Sequence, residues 1–297
     1  MPEDLCLRKY GEAFDFYAQG GSCLPKTYTV IDCETTGFSP AYDVLLQMSH
    51  VDVVEGKTVR RGTYVLNWFG CNYLRHSYVT GRLIKAKQQY DKIGKPFRFS
   101  VERLTQEGKS PKKVMELYAG KFQGMLTSGV PLVGHNVKFD LSMLAATAEL
   151  FAGMELPVDE LKVVDTGALV KLHQAGWSPE PGEKLNDFTR RVISRTAAGL
   201  KWSLADFSIP HYLPAVVVDQ DKSHEADYDV GLTAQLLERL RMLGDSCQVV
   251  AASNRKAEED TAAAATNTGE ALPERVSIDG QSKRHGVLPR KRSRRAS

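Results

Sequence analysis

The 297-residue chain carries 39 Lys+Arg against 36 Asp+Glu, with 42% hydrophobic and 25% charged residues. Those fractions belong to a globular protein with a full core; they exclude a wholly disordered chain, a collagen and a coiled coil. No apolar run approaches the roughly 18–20 residues that span a bilayer. Two acids near the N-terminus, no apolar h-region and five scattered cysteines without a Cys-x-x-Cys pair predict a soluble, cytoplasmic chain with free thiols, no zinc site and no membrane partner.

In chain order, residues 1–25 form an N-terminal arm and residues 26–248 the folded domain. Thr27 to Glu34 reads as a β-branched strand stopped by Thr35-Thr36-Gly37. Residues 44–54 and 58–68 read as two further strands, a hairpin across Glu55-Gly56-Lys57. Val130 to Val133 is a short apolar strand. Residues 137–152 have helical spacing, with Phe139, Met143, Leu144 and Leu150 as apolar members. Leu161 to Val164 is a short strand leading to the helix-capping pair Asp165-Thr166, and a last helix covers about 225–243. A β-meander followed by alternating helices and strands predicts an α/β fold, a mixed β-sheet flanked by helices. Residues 249–297 hold few large apolar side chains and are expected to be a disordered tail. Its stretch 283–297 has seven bases and no acid. It reads as a solvated tail, a nonspecific nucleic-acid arm or, in a nucleated cell, a nuclear localisation signal.

The charge is uneven. Residues 75–113 hold eleven bases against three acids, interleaved with Tyr78, Tyr90, Phe97 and Phe99. Cations beside aromatic rings supply the phosphate neutralisation and stacking platforms that a single strand needs. Tyr90, Lys95, Phe97 and Arg98 are therefore candidate substrate-binding residues. The competing reading is a solvated helical face with core aromatics.

Three acidic constellations lie outside that segment. In the first strand, Tyr28, Val30, Asp32 and Glu34 share one face, and two carboxylates at a strand's end repel unless a cation sits between them. Further on, Gly134-His135-Asn136 closes a strand, Asn136 serves as helix N-cap, and Asn136 and Asp140 fall four apart on one helical face; His135 reads as structural. In Ser223-His224-Glu225-Ala226-Asp227-Tyr228-Asp229, two aspartates compete. Projecting the stripe Thr233, Leu236, Leu240 and Leu243 backwards reaches Asp229, not Asp227. A carboxylate on a core-facing stripe needs a partner or a metal. His224 sits in the loop before the helix, free to swing, and is a candidate general base.

Taken together, Ile31-Asp32-Cys33-Glu34-Thr35-Thr36-Gly37, Gly134-His135-Asn136-Val137-Lys138-Phe139-Asp140 and His224-Glu225-Ala226-Asp227-Tyr228-Asp229 resemble the DEDDh 3′–5′ exonucleases of the DnaQ-like superfamily, relatives of the proofreading epsilon subunit, oligoribonuclease and ribonuclease T. The likeness covers roughly residues 26–245, with Phe99 to Val114 resembling the family's helical connector. It implies a ribonuclease-H-like fold and hydrolysis assisted by two metal ions. Asp32 would bridge both ions, Glu34 and Asp229 would complete one site, Asp140 would serve the other, and His224 would deprotonate the attacking water. Oxygen ligands point to Mg²⁺ or Mn²⁺. The backbone at Thr35 and Thr36 would approach the terminal nucleotide, and Asn136 would position that turn. The chain departs from a compact family member in a basic, aromatic insertion at about residues 69–100, expected to shape substrate choice.

The function expected is therefore a metal-dependent 3′–5′ exonuclease on single-stranded 3′ ends, DNA favoured over RNA, releasing nucleoside 5′-monophosphates. The alternatives are an RNA-directed exoribonuclease and a non-catalytic or polymerase-associated subunit that grips a 3′ end beside a DNA polymerase or replication partner.

Overall fold

The computed structural model describes residues 24–174, 187, 190, 191 and 199–243. The expected N-terminal arm through residue 23 and the expected basic tail lie outside the described residues. Three strands open the fold: β1 (Tyr28–Thr35), β2 (Leu45–Val54) and β3 (Lys57–Val65). The turn joining β2 to β3 has positive φ at both Glu55 (49°) and Gly56 (75°), the geometry whose twist matches a tight hairpin. Glu55 tolerates it because Thr27 exchanges hydrogen bonds with both its amide and its carboxylate at 3.2 Å. β3 stops at Val65, short of the expected residue 68, and Trp68 instead buries its ring and donates to the Leu45 carbonyl at 2.6 Å.

The chain then leaves the sheet through α1 (His76–Lys92), α2 (Val101–Glu107) and α3 (Pro111–Ser128). It returns as β4 (Leu132–Gly134), α4 (Val137–Thr147), β5 (Val163–Asp165) and α5 (Thr166–Gln174). A one-turn helix, α6 (Ile209–Tyr212), precedes α7, which is helical over 226–243. The sheet order is β3-β2-β1-β4-β5. β1 pairs antiparallel with β2 and parallel with β4, and β5 runs parallel to β4. This mixed sheet flanked by helices is the expected α/β, ribonuclease-H-like architecture.

Period-two alternation along β1 divides the core. Ile31 and Cys33 face a cluster with Val79 of α1, Leu104 of α2, Tyr118 of α3 and Leu141 of α4. Tyr28 and Val30 face a second cluster with Leu169 of α5 and Val230 and Leu236 of α7. Val30 and Ile31 are both fully buried, and each such side chain contributes about 1.5–3 kcal/mol. Asp32 and Glu34 continue the Tyr28–Val30 face, so the sheet aims both carboxylates toward α7. No helix among the described residues is long and apolar enough to cross a membrane.

Two local expectations fail for physical reasons. The helix expected over 137–152 is α-helical only to Thr147 and continues as a π-type turn, Ala148–Ala152. Its wider winding breaks the 3.6-residue phase, and Leu150, an apolar member of the expected helical pattern, is 60% exposed. Asn136 occupies the N-cap position of α4 but is left-handed (φ 65°) and makes no side-chain cap bond. Asp165 replaces it, accepting from the amides of Asn136 (3.2 Å), Val137 (3.0 Å) and, at the start of α5, Ala168 (2.9 Å). One buried carboxylate thus caps two helix N-termini, where negative charge is favoured. The tight approach also needs Gly134, where a Cβ would meet the Val137 side chain at 2.7 Å.

Candidate active site

β1 ends in Asp32 and Glu34, α4 brings Asp140 to the same strand, and the first turns of α7 bring Asp229, with His224 in the loop before it. The Cys33 amide donates to Asp140 Oδ1 at 2.9 Å, fastening the helix to the strand. The His224 amide donates to Asp229 Oδ2 at 3.2 Å. One ligand atom each of Glu34, His224 and Asp229 lies within 4.8 Å of the others. A cleft of about 460 Å³ opens over the group, lined by Asp32, Glu34, His224 and Asp229 together with apolar walls from Phe38, Tyr90, Ile93 and Phe139.

The carboxylates crowd one another. Burial, then Asp140, Asp229 and Glu34, push the Asp32 carboxyl well above the ordinary range. Burial and Asp229 do the same to Glu34. Burial raises Asp140 to about 7 against the hydrogen bonds from Cys33, and raises Asp229 to about 7 against the His224 amide. Asp229 Oδ1 is buried with no hydrogen-bond partner among the described residues. Such a group is stable as a carboxylate only with a cation to neutralise it. The donor set is oxygen-rich, with one imidazole at its edge, and it fits a hard divalent cation.

His224 is not free to swing. Its backbone is left-handed (φ 67°), its ring stands edge-on to Tyr90 at 5.5 Å, and its Nε2 lies 3.2 Å from Lys95 Nζ. Lys95 is anchored in turn by Asp206 at 2.9 Å. Burial, then Lys95, lower the imidazole's pKa, so the ring is neutral at pH 7 and able to accept a proton.

The other expected contacts are placed unevenly. Thr35 and Thr36 line the cleft, but the Thr36 hydroxyl turns away, donating to Asp43 at 3.0 Å and accepting from the Val44 amide at 2.9 Å. The Asn136 side chain makes no cap bond, and the residue does not line the cleft. Of the basic, aromatic insertion, Tyr90 lines the cleft and Lys95 touches His224. Phe97 packs between Tyr90 and Phe99, with ring centroids 5.2 and 5.7 Å away. Arg98 is drawn off to the Asp221 carbonyl and, at 3.8 Å, to Glu225. His135 is structural, stacked on Trp202 at 5.9 Å and bonded to Thr166 at 2.9 Å.

Sequence reasoning missed two parts of the site. The exposed rims of the cleft, Phe38 (87%) and Ile93 (64%), follow a single glycine and a helix end, positions that carry no pattern of their own. It also missed Gln47, whose Oε1 accepts from the Ala226 amide at 2.8 Å and whose Nε2 donates to Glu225 at 3.2 Å. A signal was present there: Gln47 is the polar break in the run Leu45-Leu46-Gln47-Met48, and it pairs in register with Glu34.

No family model matches the chain, and no curated protein matches it. Solved structures with a similar course of chain include an exonuclease I whose structure was described as suggesting how processivity is achieved (14% identity, TM-score 0.47, covering 73% of this chain and 41% of that one). They also include a zinc-bound complex of Escherichia coli exonuclease I with single-stranded DNA (16%, TM-score 0.45, 80% and 45%). A third is a moderately thermophilic exonuclease I from Methylocaldum szegediense (14%, TM-score 0.45, 73% and 40%). The chain thus spans less than half the length of each of these three.

Proposed function

We propose that this protein is a divalent-metal-dependent 3′–5′ exonuclease that removes nucleoside 5′-monophosphates from single-stranded ends, DNA in preference to RNA. The observation that carries the reading is the convergence of Asp32, Glu34, Asp140 and Asp229 from β1, α4 and α7 beside the His224 imidazole, with a buried carboxylate oxygen of Asp229 left unpartnered among the described residues. Asp32, Glu34, Asp140 and Asp229 would hold Mg²⁺ or Mn²⁺, two ions on this reading. Ions bound there would polarise the scissile phosphate and stabilise the leaving oxygen.

The chain's own residues do the rest. His224, neutral at pH 7, takes the proton of the attacking water at a ring nitrogen. For Nε2 to serve, Lys95 must release it while keeping its ion pair with Asp206. Phe38, Ile93 and Phe139 offer faces on which a terminal base stacks. The strand end at Thr35 and Thr36 brings backbone up to the sugar.

The test is a time course on 5′-labelled single-stranded DNA and RNA of matched sequence with Mg²⁺ and then Mn²⁺, beside an Asp32→Ala/Glu34→Ala protein. The expected result is a ladder shortening from the 3′ end, faster on DNA and absent from the variant. No ladder on either polymer, with binding retained, would overturn the catalytic reading and leave a protein that only grips strand ends.

A further inference from the structure

Four exposed aromatic side chains occur among the described residues: Phe38, Tyr42, Tyr73 and Tyr78. They are not scattered. Phe38 rims the catalytic cleft, while the three tyrosines line a second groove of about 310 Å³ with Arg75 and Leu150. The short segment 37–43 bridges the two, closed at its base by the Thr36 amide on the Val44 carbonyl at 3.0 Å.

Two helices connect the grooves in opposite senses. α1 places Tyr78 in the second groove and Tyr90 in the catalytic cleft, whereas α4 places Phe139 in the cleft and Thr147 in the groove. At 1.5 Å per residue these intervals are about 18 and about 12 Å. At 3.4 Å per stacked nucleotide, that span is about four or five nucleotides.

The groove's chemistry suits a polyanion with flat bases. Its one carboxylate, Asp43, is consumed by the Thr36 hydroxyl at 3.0 Å, the Ser39 amide at 2.9 Å and Arg82. Arg75 is exposed and has no ion-pair partner among the described residues. The Tyr78 hydroxyl donates to the Tyr42 carbonyl at 2.5 Å, which ties the helix of the insertion to the backbone of the bridging segment and holds the Tyr78 ring in place. By contrast, the insertion's bases nearer the cleft are already engaged, Lys95 by Asp206 and Arg98 by the 221–225 loop.

We infer that this second groove is a binding site for the 5′-ward part of the same single strand whose 3′ end enters the catalytic cleft. Bases stack on Tyr42, Tyr73 and Tyr78, and Arg75 meets a phosphate. The inference rests on the exonuclease reading and adds to it a strand path and a site size of about six to eight nucleotides, the span plus the nucleotides seated at either end.

The experiment uses the full chain in the Asp32→Ala/Glu34→Ala background, with 5′-fluorescein oligothymidylates of 3, 6, 9 and 12 nucleotides followed by anisotropy. Affinity is expected to climb to about six to eight nucleotides and then level off. With Tyr42→Ala/Tyr73→Ala/Tyr78→Ala added, the 9-mer should bind at least about tenfold more weakly, no tighter than the parent binds the 3-mer. Arg75→Ala should reduce the salt slope by about one. An unchanged length dependence would overturn the inference, as would an equal loss at every length.

Should the triple variant fail to fold, the parent alone decides the matter by photocross-linking. A 4-thiothymidine about five positions from the 3′ end should mark peptides containing residues 38–43 or 73–78, and marks elsewhere would overturn the groove. Hydrolysis of the p-nitrophenyl ester of thymidine 5′-monophosphate by the unmodified protein separates the two failures. No turnover there counts against the exonuclease reading itself; turnover there with no length dependence counts against the groove alone.

Discussion

Arg103 holds Glu225 with both arms of its guanidinium, Nη1 to Oε1 at 2.7 Å and Nη2 to Oε2 at 3.0 Å, across 122 residues of chain. Planar, bidentate pairs of this kind fix geometry as well as charge. Glu225 stands between His224, whose backbone is in the left-handed region, and Ala226, whose amide Gln47 holds from the sheet. The pair therefore fastens the strained loop on which the proposed base sits to α2 and β2.

Arg103→Met should lower turnover about a hundredfold, because a displacement of about 1 Å at a reacting group costs that much. KM for a strand end should change little, and stability should fall by about 2 kcal/mol. Arg103→Lys keeps charge but not the fork and should recover only part of the rate. Steady-state kinetics on the three proteins decide it; full turnover in Arg103→Met would mean the loop holds its shape without the clamp.

The carboxylate cluster predicts an unusual response to pH. Asp140 and Asp229 sit at about 7 in the metal-free fold, above their ordinary 3.8. The fold thus retains protons that the unfolded chain has already lost. Their stabilising contribution is complete below about pH 4 and disappears as pH rises through 7. Mg²⁺ or Mn²⁺ should reverse the loss, raising Tm more at pH 8 than at pH 6. A hundredfold excess over Kd contributes about 2.7 kcal/mol, or about 5–10 °C. Calorimetry with cation and with chelator checks this, and equal shifts at the two pH values would contradict it.

By the same argument, Asp229→Asn should stabilise the metal-free protein at pH 8 by about 1–2 kcal/mol. It removes a charge that burial, Asp227 and Glu225 oppose, while an amide oxygen can still accept from the His224 amide. The same variant should lose the cation-dependent rise in Tm together with activity. Stability and function are opposed at such a site. A variant that melts below the parent in chelator would show that the crowding is relieved by something other than a cation.

Asp165 shows how far local reading carries. Capping preferences select Asn136 for α4 because Asn precedes the helix, yet the buried Asp165, 29 and 28 residues away from the two amides, takes that role. Period-two alternation made the shared face of Asp32 and Glu34 legible, and the apolar stripe of α7 singled out Asp229, because both patterns are local. The Arg103–Glu225–Gln47 clamp was not legible, since its partners come from α2, β2 and the loop before α7, and no spacing rule joins them. Leu150 leaves the apolar stripe of that helix because a π-type turn shifts the helical phase without a sequence mark. Asp165→Ala should cost about 3 kcal/mol or more, as three amides lose their acceptor at once, and Asp165→Asn distinctly less. Denaturant melts of the two variants measure the difference.

His50 supplies a pH response of opposite sign. It is buried in β2 between Tyr64 and Tyr118, with Nδ1 3.3 Å from the Tyr118 hydroxyl and Nε2 unpartnered. Gly62 on β3 leaves it room, since a Cβ there would meet the ring at 2.6 Å. Burial is the main cause that lowers its pKa to about 4, helped by Lys121 and Arg60 and opposed by Asp52. The neutral ring's contribution is complete above about pH 6.5 and disappears as pH falls through 4. Protonation should thus cost about 2–3 kcal/mol over that window. His50→Gln, which has no proton to gain, should flatten the decline relative to the parent, and the comparison cancels the carboxylate cluster's opposite trend. Denaturant midpoints of both proteins between pH 4 and 7 test this; parallel curves would mean that His50 takes up its proton without leaving the core.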